Sequence, residues 1–256
     1  MFLYEKFGIP QHVFLSEEIE YYKKSLQRHL KSPDDLSHVG DFKASAIFDS
    51  NMLCFHYYFT DEKKQIEKYA QPMLDYAMDL FFGDWRNEAP WDGKIGAEYW
   101  KRDNWIGQYR EVVLWGACIG EWDKVKEISK YPDELTMAAQ PWETKEKKAW
   151  YTVLAIYLRD ESLKNADKYI KIIEAGKKKR EKLLLSVLRA IIDKNTGRFD
   201  KEFRVYLKYY KAHEYPQHSY PDKLAIDGTI MFNIAKHQGM NVEFPKEYID
   251  HYIFLE

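Results

Sequence analysis

The sequence has little of what marks a secreted, membrane-spanning or disulfide-linked protein. Cys54 and Cys118 are the only cysteines among 256 residues, and each lies in an apolar run, so we expect buried thiols in a reducing compartment. No segment approaches the ~18 apolar residues of a membrane span, and the N-terminus lacks a basic region followed by an apolar stretch. These absences predict a cytoplasmic protein that is long enough to bury a core without cross-links.

Local catalytic motifs are missing as well. There is no glycine-rich phosphate loop, no Gly-x-Ser-x-Gly turn and no Cys-x-x-Cys pair. Residues 213–218, HEYPQH, resemble a zinc-protease helix, but the histidines are five positions apart and Pro216 interrupts the helix that would aim them together. We therefore expect no catalytic, cofactor-binding or metal site. An enzyme whose site is assembled from distant helices leaves no local motif and stays open as a further class.

Charge is distributed unevenly along the chain, although the net charge is only -2. Residues 1–100 contain 17 acidic and 11 basic side chains, a balance of -6, and residues 101–256 contain 24 and 28, a balance of +4. Residues 160–211 hold 15 basic and 8 acidic side chains, including the run 177–180, KKKR. Most such runs are solvated helix faces, but they predict an acidic N-terminal part and a basic face later in the chain.

What the sequence does contain is helical periodicity. The first predicted helix has Ser16 as its N-cap and carries Ile19, Tyr22 and Leu26 at three- and four-residue steps. Further helices are predicted over residues 42–59, 61–82, 105–119, 122–129, 144–158, 162–174, 177–194, 199–213 and 221–237. Residues 83–107 break the periodicity with glycine, proline and four of the eight tryptophans, and are predicted to form a long connection.

An internal echo organises these helices into hairpins. Residues 120–124, GEWDK, recur 77 positions later as residues 197–201, GRFDK. Gly120 and Gly197 are expected to end a helix in the left-handed conformation, with the following aromatic entering the seam between antiparallel partners. The prediction is a single all-α domain over residues 1–256, an irregular tetratricopeptide-like array of antiparallel hairpins, with a closed bundle as the alternative. It comprises an acidic helical part (1–82), the tryptophan-rich connection (83–107) and a hairpin array (108–256).

The tryptophans can serve either the core or an interface. Core packing is favoured for those in predicted helices, namely Trp105, Trp115, Trp122 and Trp150. For Trp85, Trp91 and Trp100 the two roles are about equally supported, because aromatic side chains in exposed loops recruit partners.

The C-terminal segment carries a family resemblance. Residues 227–253, DGTIMFNIAKHQGMNVEFPKEYIDHYI, give an acidic helix start, a small and apolar helix, a Gly239 cap, a short extended piece and a closing Tyr248-Ile249. This order resembles the C-terminal end of the immunity-49 family, whose members are encoded beside polymorphic bacterial toxins. The family's hairpins, with a central tryptophan and a Gly-aromatic turn, are similar to residues 115–124 here. The resemblance covers about the last 150 residues; residues 1–40 and the tryptophan-rich connection lie outside it.

That resemblance implies a non-catalytic immunity protein that binds and neutralises a cognate toxin domain. Toxins that act on nucleic acid have positive clefts, so the expected interface is acidic and aromatic, and we predict it at Asp84, Trp85, Glu88, Trp91 and Asp92. The alternative is a helical-repeat adaptor or nucleic-acid-binding protein that uses the basic helices of residues 160–211, with bases stacked on Tyr206, Tyr209 and Tyr210. Nucleic acid is the less favoured partner, no membrane partner is expected, and the oligomeric state stays open.

Overall fold

A computed structural model of the chain describes residues 12–31, 39–84, 106–132, 143–215 and 224–255. These ranges are helical and contain no β-strand, which confirms the all-α prediction. The α-helices are α1 His12–His29, α2 Val39–Phe59, α3 Ile66–Phe82, α4 Ile106–Ile119, α5 Trp122–Ile128, α6 Lys145–Leu158, α7 Asp167–Ala175, α8 Lys179–Ile192, α9 Thr196–Tyr209 and α10 Ile226–His237. Short 3-10 helices occupy Lys63–Gln65, Leu163–Ala166 and Lys246–His251, and a π-helical turn, Tyr210–Glu214, extends α9. Within these ranges no helix is long and apolar enough to span a membrane.

The N-terminal part is built around α2. This helix packs between α1 and α3 and also touches α4. Residues 49–59 are all buried, whereas Asp41 and Phe48 in the first half of the helix are exposed. Asn51 of α2 accepts a hydrogen bond of 2.7 Å from the indole of the fully buried Trp115 in α4. That bond satisfies a buried donor and joins the N-terminal part to the rest of the core.

The remaining helices form the predicted hairpins. α4 packs on α5, α6 on α7 and α8 on α9, each pair being consecutive in the chain. The last helix, α10, is almost wholly buried and packs on α4, α8 and α9. A single apolar cluster runs from Leu15 to Ile253 through all these elements. The hairpin helices therefore pack around α10, and α10 is part of the core.

A left-handed residue occurs in each of the two turns that the sequence echo marks, but not at equivalent positions. Gly120 has a φ of +79°, which confirms the prediction for that turn. The prediction for Gly197 was wrong, because this residue lies inside the first turn of α9 and has no positive φ. In the loop between α8 and α9, Lys194 takes the left-handed conformation with a φ of +47°. The side chain of Asn195 accepts a 2.9 Å hydrogen bond from the backbone N–H of Arg198. Because of this cap, α9 begins at Thr196, three residues before the predicted start at residue 199.

The first helix also begins earlier than predicted. α1 starts at His12, so Ser16 is not its N-cap, and the predicted start was wrong by about one turn. Leu15 explains the difference: it is fully buried and extends the apolar stripe of Ile19 and Leu26 one turn upstream. Most of the other helix boundaries lie within a few residues of their predictions.

Candidate functional site

Of the five predicted interface residues, only Asp84 lies among the residues that the structure describes. Asp84 lies in a turn directly after α3 and is exposed. Trp85, Glu88, Trp91 and Asp92 lie outside the residues that the structure describes, and so do Trp100 and Trp105. Trp115 and Trp150 are fully buried, which confirms their core assignment, and Trp122 is half-buried against the core. The role of the tryptophan-rich connection therefore stays a prediction.

The acidic N-terminal part, which precedes that connection in sequence, exposes aromatic rings. Tyr21 of α1 is 61% exposed and Phe48 of α2 is 43% exposed. Tyr22 lies between them, with ring centroids 5.1 Å from Tyr21 and 6.1 Å from Phe48, both edge-to-face. We call Tyr21, Tyr22 and Phe48 the α1–α2 aromatic patch. Phe82 at the end of α3 is a further exposed ring, at 44%.

Carboxylates stand one helical turn before this patch. Glu17 and Glu18 precede Tyr21 and Tyr22 by four residues in α1, so each lies on the same side of the helix as the ring it precedes. The carboxylate of Glu18 is 3.7 Å from Nε2 of His56, whose ring is 5.4 Å from that of Tyr22. Burial lowers the pKa of His56, and its Nδ1–H donates to the carbonyl of Met52. The patch therefore packs on α2 and has Glu17 and Glu18 at one edge, while Tyr21 lines a groove with Lys24, Ser25 and Arg28 on the following turns of α1.

A buried ion cluster lies at the start of α10, in the C-terminal half of the chain. Asp227 is 2% exposed, and its Oδ2 accepts hydrogen bonds from Arg110 of α4, at 2.9 Å, and from Arg180 of α8. Arg180 also bonds to Glu181 at 2.8 Å and lies 3.4 Å from Glu214 of the π-helical turn. Three helices and the turn after α9 are thus joined through two guanidinium groups.

In this cluster the pKa of Asp227 is lowered and the pKa of Glu214 is raised. Burial acts to raise the pKa of Asp227, but the charges and hydrogen bonds of Arg110 and Arg180 outweigh it and lower the pKa to about 2. Burial raises the pKa of Glu214, and Arg180 offsets only part of that effect. An arginine keeps its proton and Asp227 stays ionised near neutral pH, so neither can exchange a proton there. The cluster is suited to joining helices.

The cluster was missed at the sequence level. Asp227 lies in the first turn of α10, as the acidic helix start predicted, but its burial was not foreseen. Arg180 was interpreted as part of a basic face, which was wrong because its side chain is only 16% exposed. The apolar run around Asp227 could have indicated that this residue is buried, since a helix buried on every side leaves an acidic residue no access to water. The identity of its partners could not be obtained that way, because Arg110 and Arg180 lie 117 and 47 positions away.

All four arginines of residues 160–211 are paired with carboxylates, and the lysines carry the rest of the positive charge. Besides Arg180, three arginines pair with acidic neighbours: Arg189 with Glu174, Arg198 with Asp193, and Arg204 with Asp200 and Glu247. The expectation that bases stack on Tyr206 and Tyr210 was wrong, because these rings are 1% and 2% exposed and belong to the core. Tyr209 is half-buried, with the ammonium group of Lys179 5.6 Å from its centroid. Lysines remain exposed there, but two of the three predicted stacking rings are not accessible.

A cluster in α1 and α2 resembles a nucleophilic triad but does not have the geometry of one. It consists of Ser25, His29 and Asp49. Asp49 Oδ2 lies 2.7 Å from Nδ1 of His29, and the hydroxyl of Ser25 lies 3.5 Å from the same nitrogen. A triad requires the carboxylate and the hydroxyl on different ring nitrogens, so that a proton can pass through the ring. Here the other nitrogen, Nε2, accepts a hydrogen bond of 3.1 Å from Arg28. The three residues join α1 to α2.

A groove of about 380 Å³ runs between the start of α9 and the segment before the last 3-10 helix. Phe199 and Phe244, both buried, lie along it, and Arg204 stands at its edge. Arg204 is held by both carboxylate oxygens of Asp200, at 3.0 Å each, and by Glu247. Because two carboxylates already match this guanidinium group, Arg204 is poorly suited to fix an anionic ligand in the groove.

No family model matches this sequence, and comparisons with curated proteins and with solved structures give no significant match. The resemblance to the immunity-49 family therefore rests on the residues quoted for it and stays a prediction.

Proposed function

We propose that this protein is a non-catalytic, immunity-type protein that binds a cognate bacterial toxin domain and neutralises it. The observation that carries the proposal is the α1–α2 aromatic patch, where Tyr21 is 61% and Phe48 is 43% exposed in the acidic part of the chain. Large rigid rings that a monomer leaves in water supply much of the binding energy at protein interfaces. The resemblance of the C-terminal residues to the immunity-49 family supplies the class of partner.

The overall charge of the first hundred residues favours a basic partner. They carry a balance of -6, and Glu17 and Glu18 stand beside the patch, although Tyr21 also lines a groove with Lys24 and Arg28. A toxin that cleaves or modifies nucleic acid presents a positive cleft, so the two potentials attract and speed the encounter. The buried rings then determine how long the complex lasts, because most differences in affinity arise in the dissociation rate. Occlusion of the cleft inhibits the toxin without any chemistry by the immunity protein.

Under this proposal a toxin domain is encoded beside this gene, and a bacterial host that expresses that domain tests it. Co-expression of the wild-type protein should restore growth, and the double variant Tyr21→Ala/Phe48→Ala should lose that protection. The matched control is Val205→Ala/Ile249→Ala, which removes two apolar side chains of similar exposure, 42% and 47%, from the C-terminal part. The control should protect fully.

Three outcomes separate the possibilities. Failure of the wild-type protein to protect or to bind the toxin domain contradicts the immunity function. Full protection by the double variant would show that the interface lies elsewhere and would not contradict the immunity function. Binding to a generic oligonucleotide whose affinity falls steeply with salt supports the basic helices and the nucleic-acid alternative instead.

A further inference from the structure

A small pocket lies where two helices end side by side. Its volume is about 150 Å³, and it is lined by Leu158 at the end of α6 and by His237 at the end of α10. Trp122 and Asp123, at the start of α5, also line it. We call it the α6–α10 pocket. It is separate from the aromatic patch and from the buried ion cluster, and neither the family resemblance nor the proposed function assigns it a role.

The charges around this pocket are negative on balance. Asp123 and Asp160 line it, and Lys126 lines it with them. Together these three side chains carry a formal charge of -1. The C-terminal ends of α6 and α10 add partial negative charge, although the turns that follow them already bond several of their last carbonyls. A cation is therefore stabilised in the pocket and an anion is repelled.

Aromatic rings complete the lining. Trp122 and Tyr157 are both half-buried, and the ring of His237 stacks on Trp122 with centroids 4.2 Å apart and planes 15° apart. Burial together with the charge of Asp160 raises the pKa of Tyr157 to about 12, so this phenol stays neutral near pH 7. Electron-rich rings attract organic cations, and they do so most strongly when the cation sheds its water. Carboxylates beside aromatic rings favour a cation that is also apolar.

The protein already places a cation at the edge of this pocket. The Nζ atom of Lys126 lies 2.6 Å from Oδ2 of Asp160, and the two side chains are 44% and 70% exposed. An exposed pair of this kind contributes at most about 1 kcal/mol. An incoming cation can therefore displace the ammonium group of Lys126 at small cost.

We propose that the α6–α10 pocket is a binding site for a small organic cation of the quaternary-ammonium class. The size limit follows from the volume, because a cavity of about 150 Å³ accommodates a molecule of the size of benzene. A trimethylammonium group fits that limit. Asp123 and Asp160 supply the opposite charge, and Trp122 and Tyr157 supply the apolar and aromatic walls.

Tetramethylammonium chloride is the probe for this site, and tert-butanol is its neutral counterpart of similar size. Both are titrated into the full-length protein at constant ionic strength, with the Trp122 indole N–H followed by NMR and assigned through Trp122→Phe. We expect saturable binding of tetramethylammonium and roughly tenfold weaker binding of tert-butanol, the difference that cation–π and charge attraction provide. Equal binding of the two ligands, or no saturable shift with tetramethylammonium, overturns the proposal.

Variants that leave packing unchanged sharpen the test. Asp123→Asn/Asp160→Asn should weaken tetramethylammonium binding roughly tenfold, and Asp75→Asn, which alters an exposed carboxylate outside the pocket, should leave it unchanged. Lys126→Met should strengthen binding about threefold, because it removes the competing ammonium group. Unchanged affinity in the double variant, or weaker binding in Lys126→Met, contradicts the proposal.

Discussion

Replacement of Asp227 by asparagine should cause a large loss of stability. The change keeps the shape of the side chain and removes the charge that Arg110 and Arg180 share. Removing one partner of a buried ion pair leaves the other uncompensated, which typically costs about 3 to 5 kcal/mol. Here two guanidinium groups lose their common carboxylate, although the amide oxygen of the introduced asparagine can still accept a hydrogen bond. We therefore expect a loss of about 3 kcal/mol, or roughly 10 °C in Tm for a chain of this size.

The same carboxylate makes stability depend on pH in a defined direction. The pKa of Asp227 falls from 3.8 to about 2 in the folded protein, and a shift of that size corresponds to about 2 kcal/mol. Because the folded pKa is the lower one, this stabilisation is complete above about pH 4 and is lost as the pH falls towards about 2. Glu214 acts in the opposite sense, since its raised pKa favours the folded state at acid pH and less so as the pH rises.

Urea unfolding of wild type and Asp227→Asn between about pH 7 and pH 3 measures both effects. The difference in unfolding free energy should be largest at neutral pH and should shrink below about pH 4. Asp75→Asn is the matched control, because Asp75 forms an exposed pair with Lys124 and its loss should cost well under about 1 kcal/mol. If Asp227→Asn costs no more than Asp75→Asn, or if its effect does not change with pH, the ion cluster does not stabilise the fold in this way.

Three further variants test the turns and the junction of the core. Gly120→Ala should lower the unfolding free energy by about 1 kcal/mol, because φ there is +79° and a Cβ is strained in that region. Gly197→Ala should be neutral or should raise it by about 0.5 to 1 kcal/mol, since Gly197 is helical and a Cβ meets only ordinary contact there. Equal losses in the two variants, seen by thermal or urea unfolding, would support the equivalence of the two glycines that the echo predicts. Asn51→Ala should cost about 1 to 3 kcal/mol by leaving the buried indole of Trp115 without an acceptor, and a loss of only a few tenths contradicts that role.

Helices and hairpins could be predicted because they depend on local patterns. The three- and four-residue spacing of apolar side chains identifies a helix wherever one face is buried, and Gly120 marks a turn that needs a left-handed residue. The register of the second turn could not be obtained from its glycine, because the side chain of Asn195 caps the helix and Lys194 adopts the strained conformation. Two local signals competed there, and the cap determined the start of α9.

The ion cluster and the tyrosines show why some side-chain roles were harder to predict than others. Arg180 follows three lysines, and its burial depends on Asp227 in a helix 47 positions away. Tyr206 and Tyr210 continue the stripe of Phe199 and Phe203 at three- and four-residue steps, so the pattern within α9 already indicated that they face the core. The partners of Arg180 follow from the way the hairpins assemble, and a pattern within one helix does not identify them.

The proposed toxin-binding function depends on the affinity of the cognate toxin domain for this protein, which calorimetry can measure with wild type and with Tyr21→Ala/Phe48→Ala. We expect tight binding by wild type and a loss of at least about 2 kcal/mol, roughly thirtyfold in Kd, in the double variant with an unchanged Tm. Val205→Ala/Ile249→Ala should bind as wild type does. Equal affinity in all three proteins would rule out the α1–α2 aromatic patch as the interface, and no measurable binding of the toxin domain by the wild-type protein would contradict the immunity function itself.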